Sequence, residues 1–176
     1  MNRLIQCLIF SMIAYSATAI AQRCGATCAN AESLLGTSEQ TLIASIPELK
    51  RAPLPVRGPR NSRGKWVLPD FHFATQPFAA TYFIRSGQVP RIELFSTAPR
   101  LQCTQRIPFE QALVELGKTY GESQVLGTFE EGGKSMQSVA FNTQTMNVSL
   151  HFALSPEDCA TRVIYTTRDV KDASEL

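Results

Sequence analysis

MNVSLHFAL, residues 146–154, alternates without a break. Met146, Val148, Leu150, Phe152 and Leu154 are apolar, and Asn147, Ser149, His151 and Ala153 stand between them. Successive side chains of an extended chain point to opposite faces. The segment therefore reads as an antiparallel strand with one face in a core and the other toward water. His151 falls on the watery face. Strands rich in β-formers flank it at about Gln124–Glu130, Ser135–Asn142 and Thr161–Thr167.

Between the first two of these lies GTFEEGGKS, Gly127–Ser135, which ends as a phosphate-binding loop does. The motif G-x-x-x-x-G-K-[ST] wraps backbone N–H groups around phosphates, and here its first glycine would have to be position 128, which is threonine. Gly127 is one residue early, and Glu130 and Glu131 would repel a polyphosphate. Glycine reaches positive φ without strain, so Gly132-Gly133 reads as a tight turn between strands and no nucleotide is expected.

Upstream of these strands the period changes to that of a helix. Phe109, Ala112, Leu113 and Leu116 lie at i, i+3, i+4 and i+7. Pro108 suits the first turn, and Gly117 or Gly121 can end it. The amino-terminal half has the same order. In residues 30–49, Thr37 and Gln40 form a capping box ahead of Leu42, Ile43, Ile46 and Leu49, and Pro47 stops the helix. Leu34 and Leu35 fit a short helix before Gly36. Strands follow at Lys65–Phe73, where Pro69 marks an edge or an interruption, and at Phe78–Arg85 and Val89–Thr97, joined by a hairpin turn through Ser86-Gly87-Gln88. The expected fold is α+β: one antiparallel sheet with helices packed on one face, built from two degenerate helix-then-strands halves at about 30–99 and 104–168, within a single domain over 22–176.

LLGTSEQTLIASIPEL resembles the helix-pair motif of β-lactamase-inhibitor-protein-like repeats and small outer-membrane-assembly lipoproteins. There a glycine followed by Thr or Ser opens a helix with an apolar residue a few positions on, and Gly36, Thr37, Ser38 and Leu42 match. LGKTYGES resembles the point where the helix gives way to the first strand. The second half lacks the Gly-Thr-Ser opening, and no lipid-attachment cysteine is evident. The resemblance implies an exported, non-catalytic protein-binding or inhibitor-like module.

Export is also expected from the opening residues. Arg3 supplies a positive n-region, Leu4 to Tyr15 an apolar h-region, and Ala19-Ile20-Ala21 a small-x-small cleavage site, so residues 1–21 read as a secretory signal peptide. The expected location is the bacterial periplasm or the extracellular space, with no stable membrane anchor after cleavage. Removing Arg3 takes the formal charge from +2 to +1, which argues against a general nucleic-acid binder. Four cysteines then remain: Cys24, Cys28, Cys103 and Cys159. An even count in an exported chain reads as two disulfides with three possible connectivities. Cys103–Cys159 with Cys24–Cys28 is favoured, because the first pair ties the start of the second half to its last strand and the second is a local staple. Neither metal-ligand nor redox C-x-x-C spacing occurs, so no metal and no cofactor are expected.

Lys50–Lys65 holds six basic residues, three prolines, two glycines and no acid. It reads as a loop, either a flexible connection kept solvated by its charges or a docking surface for an acidic protein or an anionic envelope component. Arg51, Arg57, Arg60 and Arg63 carry the planar fork that suits carboxylates and phosphates, with Lys65 beside them. Trp66, the only tryptophan, completes an anchor of the kind found at interfaces. The alternative reading is a small secreted hydrolase. Asp70 and His72 could form an orienting pair on one strand face, and His151 could act as a base. No G-x-S-x-G element is present, and no complete catalytic set can be assembled.

Overall fold

A computed structural model describes residues 31–168. The expected signal peptide, Cys24 and Cys28 and the polar tail after Arg168 lie outside the described residues. Eight strands form one sheet: β1 (Lys50–Arg57), β2 (Arg63–Phe73), β3 (Gln76–Arg85), β4 (Gln88–Ser96), β5 (Gln124–Glu131), β6 (Lys134–Asn142), β7 (Met146–Leu154) and β8 (Cys159–Thr167). Their order is β1-β2-β3-β4-β8-β7-β6-β5, and every pairing is antiparallel. Two four-stranded meanders therefore meet at the β4–β8 ladder.

The turns follow from positive φ. Gly132 and Gly133 (φ 57° and 76°) close β5–β6, with Glu131 opposite Lys134. Lys134 thus opens a strand rather than a helix, and the glycines make a hairpin. Ser86 and Gly87 (φ 51° and 75°) do the same for β3–β4. Between β2 and β3 the two-residue turn is Ala74-Thr75, both left-handed, with Thr75 Oγ1 donating to Gln111 Oε1 at 3.0 Å.

The helices are α1 (Ala31–Leu34), α2 (Glu39–Ser45), α3 (Arg100–Thr104) and α4 (Ile107–Tyr120). The sequence places a capping box at Thr37. In the structure Ser38 is the N-cap, accepting from the Thr41 amide at 3.0 Å, while Thr37 Oγ1 bonds back to the Leu34 carbonyl. Gly36 (φ 76°) has already turned the chain out of α1, so the first orphan amides of α2 come one residue later. Ile46, just before Pro47, is the C-cap. In α4, Pro108 sits in the first turn and Gly121 (φ 83°) caps the end, while Gly117 stays inside the helix. α3 has too few residues for a periodic signal and was not expected.

The core lies between these helices and one sheet face. Val139, Leu150, Val163, Leu94, Ala80 and Leu68 are successive cross-strand partners from β6 to β2, and all are buried. Phe141, Val148, Tyr165, Ile92 and Tyr82 form the next buried row. Leu42 of α2, Ile46 at its C-cap, and Phe109, Ala112 and Leu116 of α4 cover them. Each fully buried Leu, Ile or Phe stabilises by about 1.5–3 kcal/mol. Ile43, grouped with the α2 core by spacing, is exposed. The core rows stop at β6: all eight residues of the edge strand β5 are exposed.

Cys103 of α3 is bonded to Cys159 at the start of β8, with Cα atoms 6.0 Å apart. The favoured pairing is thus present, joining the entry of the second half to its last strand. A disulfide is consistent with an oxidising compartment.

Candidate functional site

The opposite sheet face has no helix on it among the described residues. Strand parity decides what it carries. Ser138, His151, Arg162 and Phe95 are successive partners across β6, β7, β8 and β4. Beside them run Ala140, Ser149, Ile164, Glu93 and Thr81. Glu93 accepts from Arg91 Nε at 2.6 Å and lies 3.8 Å from Arg162 Nη1. The Arg162 guanidinium stacks over the half-exposed Phe95 ring, 5.6 Å from its centroid, and Arg91 over Phe83 at 5.7 Å. Such cation–π contacts fix both the ring and the charge.

His151 is held on both sides. Its Nδ1 is 2.8 Å from Ser138 Oγ and its Nε2 2.9 Å from Ser149 Oγ. A neutral imidazole has one donor and one acceptor nitrogen, so one serine donates to the ring and the other accepts from it. Partial burial and then the charges of Arg162 and Arg91 push the imidazole pKa below its usual value, against the opposing pull of Glu93. His151 is therefore neutral near pH 7. A shallow recess of about 320 Å³ opens beside it, lined by Ala153, Ala160, Arg162 and Ile164.

A second recess, of about 540 Å³, lies on the same face at the far end of β3, β4 and β8. Its lining includes Arg60, Arg85, Arg91 and Arg168 and, among the described residues, no carboxylate. A five-residue turn builds one wall. Gly58 N donates to Ser62 O at 2.8 Å, and Ser62 N and Oγ both donate to Pro59 O. Arg60 and Asn61 have φ of 53° and 61°, a conformation that costs a non-glycine residue roughly 1–2 kcal/mol. The turn is pressed onto the Phe83 ring, leaving that residue 2% exposed. A Cβ on Gly58 would meet Phe83 Cδ1 at 2.6 Å and Ser62 Oγ at 2.5 Å, so only glycine fits there.

The segment expected to be a basic loop is mostly strand. Lys50–Arg57 is β1, a short helical turn spans Pro59–Asn61, and β2 begins at Arg63. Prolines are tolerated because β1 is an edge strand whose register breaks between Arg51 and Val56, so Pro53 and Pro55 interrupt no ladder bond. Pro69 likewise sits at a bulge between Leu68 and Phe71, beyond the reach of β1.

The six residues read as a partner-binding set are divided by this geometry. Lys65 is the extra residue of a bulge between Gly64 and Trp66. It and Trp66 both reach the helix side, where Glu39 of α2 accepts from Trp66 Nε1 at 2.8 Å and Lys65 Nζ at 3.1 Å. Arg51 pairs with Trp66 across the ladder and adds its charge. Burial raises the Glu39 pKa, but the bonds from Trp66 and Lys65 and the charges of Lys65 and Arg51 outweigh it and leave it lowered. These three residues thus anchor α2 to the sheet. Arg57 and Arg63 face each other at the end of the β1–β2 ladder and are exposed. Arg60 alone reaches the helix-free face.

Of the hydrolase candidates, Asp70 and His72 are exposed, and among the described residues their side chains make no hydrogen bond to each other or to any other group. No group of three or more metal-ligating side chains occurs among the described residues, and no described helix is long and apolar enough to cross a membrane. Arg85, Arg91, Phe95, Ser138 and Arg162 were missed by sequence reasoning. The alternation of Arg91, Glu93 and Phe95 in β4 and of Arg162, Ile164 and Thr166 in β8 was the signal that could have found them. Comparison with known protein families, curated proteins and solved structures finds no match to this chain.

Proposed function

We propose that the chain is an exported, non-catalytic protein-binding module, inhibitor-like in mode, which docks a carboxylate-rich partner on the helix-free face of its sheet. One observation carries the reading: Phe95, stacked under Arg162, is an exposed aromatic–arginine pair amid further arginines on a face that no described element covers except the Gly58–Ser62 turn at its far end. Aromatic and arginine side chains dominate interface energetics, and the excess of guanidinium over carboxylate selects an acidic partner and makes association salt-sensitive. A helix followed by a four-stranded meander on each side of the β4–β8 seam supports construction from two degenerate halves. The disulfide supports an exported location. Arg57 and Arg63, exposed at the end of the β1–β2 ladder, add positive charge at the edge of the sheet rather than on that face.

The test begins by recovering a partner from envelope or culture-medium proteins and then measures affinities for it. Phe95→Ser with Arg162→Ser should weaken binding about tenfold or more. Replacing Arg57, Arg60 and Arg63 together by Ser should reduce the association rate and its salt dependence. Unchanged binding in both variants overturns the reading. The hydrolase alternative rests on the Ser138–His151 contact of 2.8 Å. It would require turnover that Ser138→Ala and His151→Ala both abolish. Against it, no carboxylate orients His151 and each ring nitrogen is occupied by a serine.

A further inference from the structure

We infer that the 540 Å³ recess between the Gly58–Ser62 turn and the β4–β8 ends is a binding site for a tetrahedral oxyanion, a phosphate or sulfate ester on a sugar-sized body. The first argument is charge. Arg85, Arg91 and Arg168 share one lining with Arg60 and with no carboxylate among the described residues of that lining; Glu93 pairs with Arg91 through Nε, and the remaining guanidinium charge around a partly enclosed volume attracts an anion. The second is donor capacity. Arg91 spends Nε on Glu93, and its Nη1 and Nη2 have no hydrogen-bond partner among the described residues. Arg85 has none at all there, and Arg168 uses only Nη1, on the Thr143 carbonyl. These are forked donors whose spacing matches two oxygens of a tetrahedral anion. The third is construction. The turn that carries Arg60 is held by three hydrogen bonds, two left-handed residues and a glycine that no other residue can replace. Backbone in such sparsely populated regions is kept where it positions a functional group.

The volume selects the ligand. It lies in the range of small-molecule sites and exceeds a bare phosphate, which leaves room for a ring. Asn147 and Thr166, also in the lining, offer neutral donors and acceptors for the hydroxyls of that ring. The site needs no protein partner, so its failure would leave the protein-binding reading intact.

The experiment is calorimetric titration of the folded protein, with the Cys103–Cys159 bond intact, at fixed ionic strength. Inorganic phosphate, inorganic sulfate and glucose 6-phosphate are the anionic probes, and glucose and acetate the controls. Glucose 6-phosphate should bind saturably at one site and more tightly than phosphate or sulfate, whereas glucose and acetate should not bind. Arg85→Ser with Arg168→Ser should lower that affinity about tenfold or more, through loss of charge-assisted bonds. Arg85→Lys should lower it too, because an ammonium keeps the charge without the fork. Without anion, the double variant should melt no lower than the parent, since it relieves repulsion. Equal affinity in parent and Arg85→Lys overturns the forked site. Absence of saturable binding by all three anions, or acetate binding as well as phosphate, overturns the proposal entirely.

Discussion

Replacing Cys103 and Cys159 together by alanine should cost the fold about 4 kcal/mol. The bond spans 56 residues, and in the chain-entropy model closing a loop of that length removes about 14 cal/mol/K from the unfolded ensemble. Cys103 is 4% exposed, but the lost sulfur leaves only a small void, so the unfolded chain carries most of the effect. For a chain of this size the entropy of unfolding is on the order of 0.3 kcal/mol/K, and the melting temperature should fall by about 14 °C. The assay is urea denaturation of parent and double variant, with a thermal scan of each. The parent treated with reductant should move toward the variant. The urea slope should change little if the unfolded chains expose similar surface. A double variant within about 1 kcal/mol of the parent would refute the reasoning, because it would mean that the unfolded chain is already confined.

Thr161 is fully buried, and its Oγ1 has no hydrogen-bond partner, so Thr161→Val should raise stability by about 1 kcal/mol; a lower urea midpoint would show that the hydroxyl is satisfied. Glu39 is a carboxylate whose folded pKa is lowered, so its contribution is complete above the unfolded value of about 4.3 and is lost as pH falls through the folded one. Glu39→Gln should flatten that acid limb, and an unaltered limb would contradict the anchoring role given to Lys65 and Trp66. His151 has its folded pKa lowered too. The unfolded chain therefore binds its proton first, and stability should decline as pH drops below about 6.5; an NMR titration placing its midpoint above that value would refute this. Lys134→Ala should leave the melting temperature unchanged with or without ATP-Mg, and an ATP-dependent shift confined to the parent would restore the phosphate-loop reading of Gly127–Ser135.

Most of the sheet was legible because period-2 alternation depends on burial, and burial here is one-sided. Met146 to Leu154 could be placed by pattern alone. The apolar spacing of α4 likewise marked Phe109, Ala112 and Leu116 before any packing was known. β1 was not legible. Its signal is pairing along an edge, which side-chain pattern does not record, and its prolines imitate a loop. The same blindness put the basic residues and Trp66 into one set: a one-residue bulge at Lys65 turns Lys65 and Trp66 toward α2, and no composition reveals a bulge. The helix-free face was written in β4 and β8, yet it becomes a surface only once β4 is known to pair with β8, some 70 residues further along the chain.

That seam also orders events in time. Within each meander, consecutive strands meet through short connections, and hairpins of this kind close in roughly 1–10 μs. The β4–β8 ladder, from Arg91–Thr166 to Phe95–Arg162, instead needs two distant segments to find each other, and distant pairings slow folding. The cross-link changes that search. Once Cys103 holds Cys159, the path from Phe95 to Arg162 shortens from nearly 70 residues to about a dozen, and the entropy of closure falls with the logarithm of that length. An oxidised chain should therefore assemble its central ladder faster than a reduced one, and the moment at which the disulfide forms would set how long the two meanders expose unpaired edges to their neighbours.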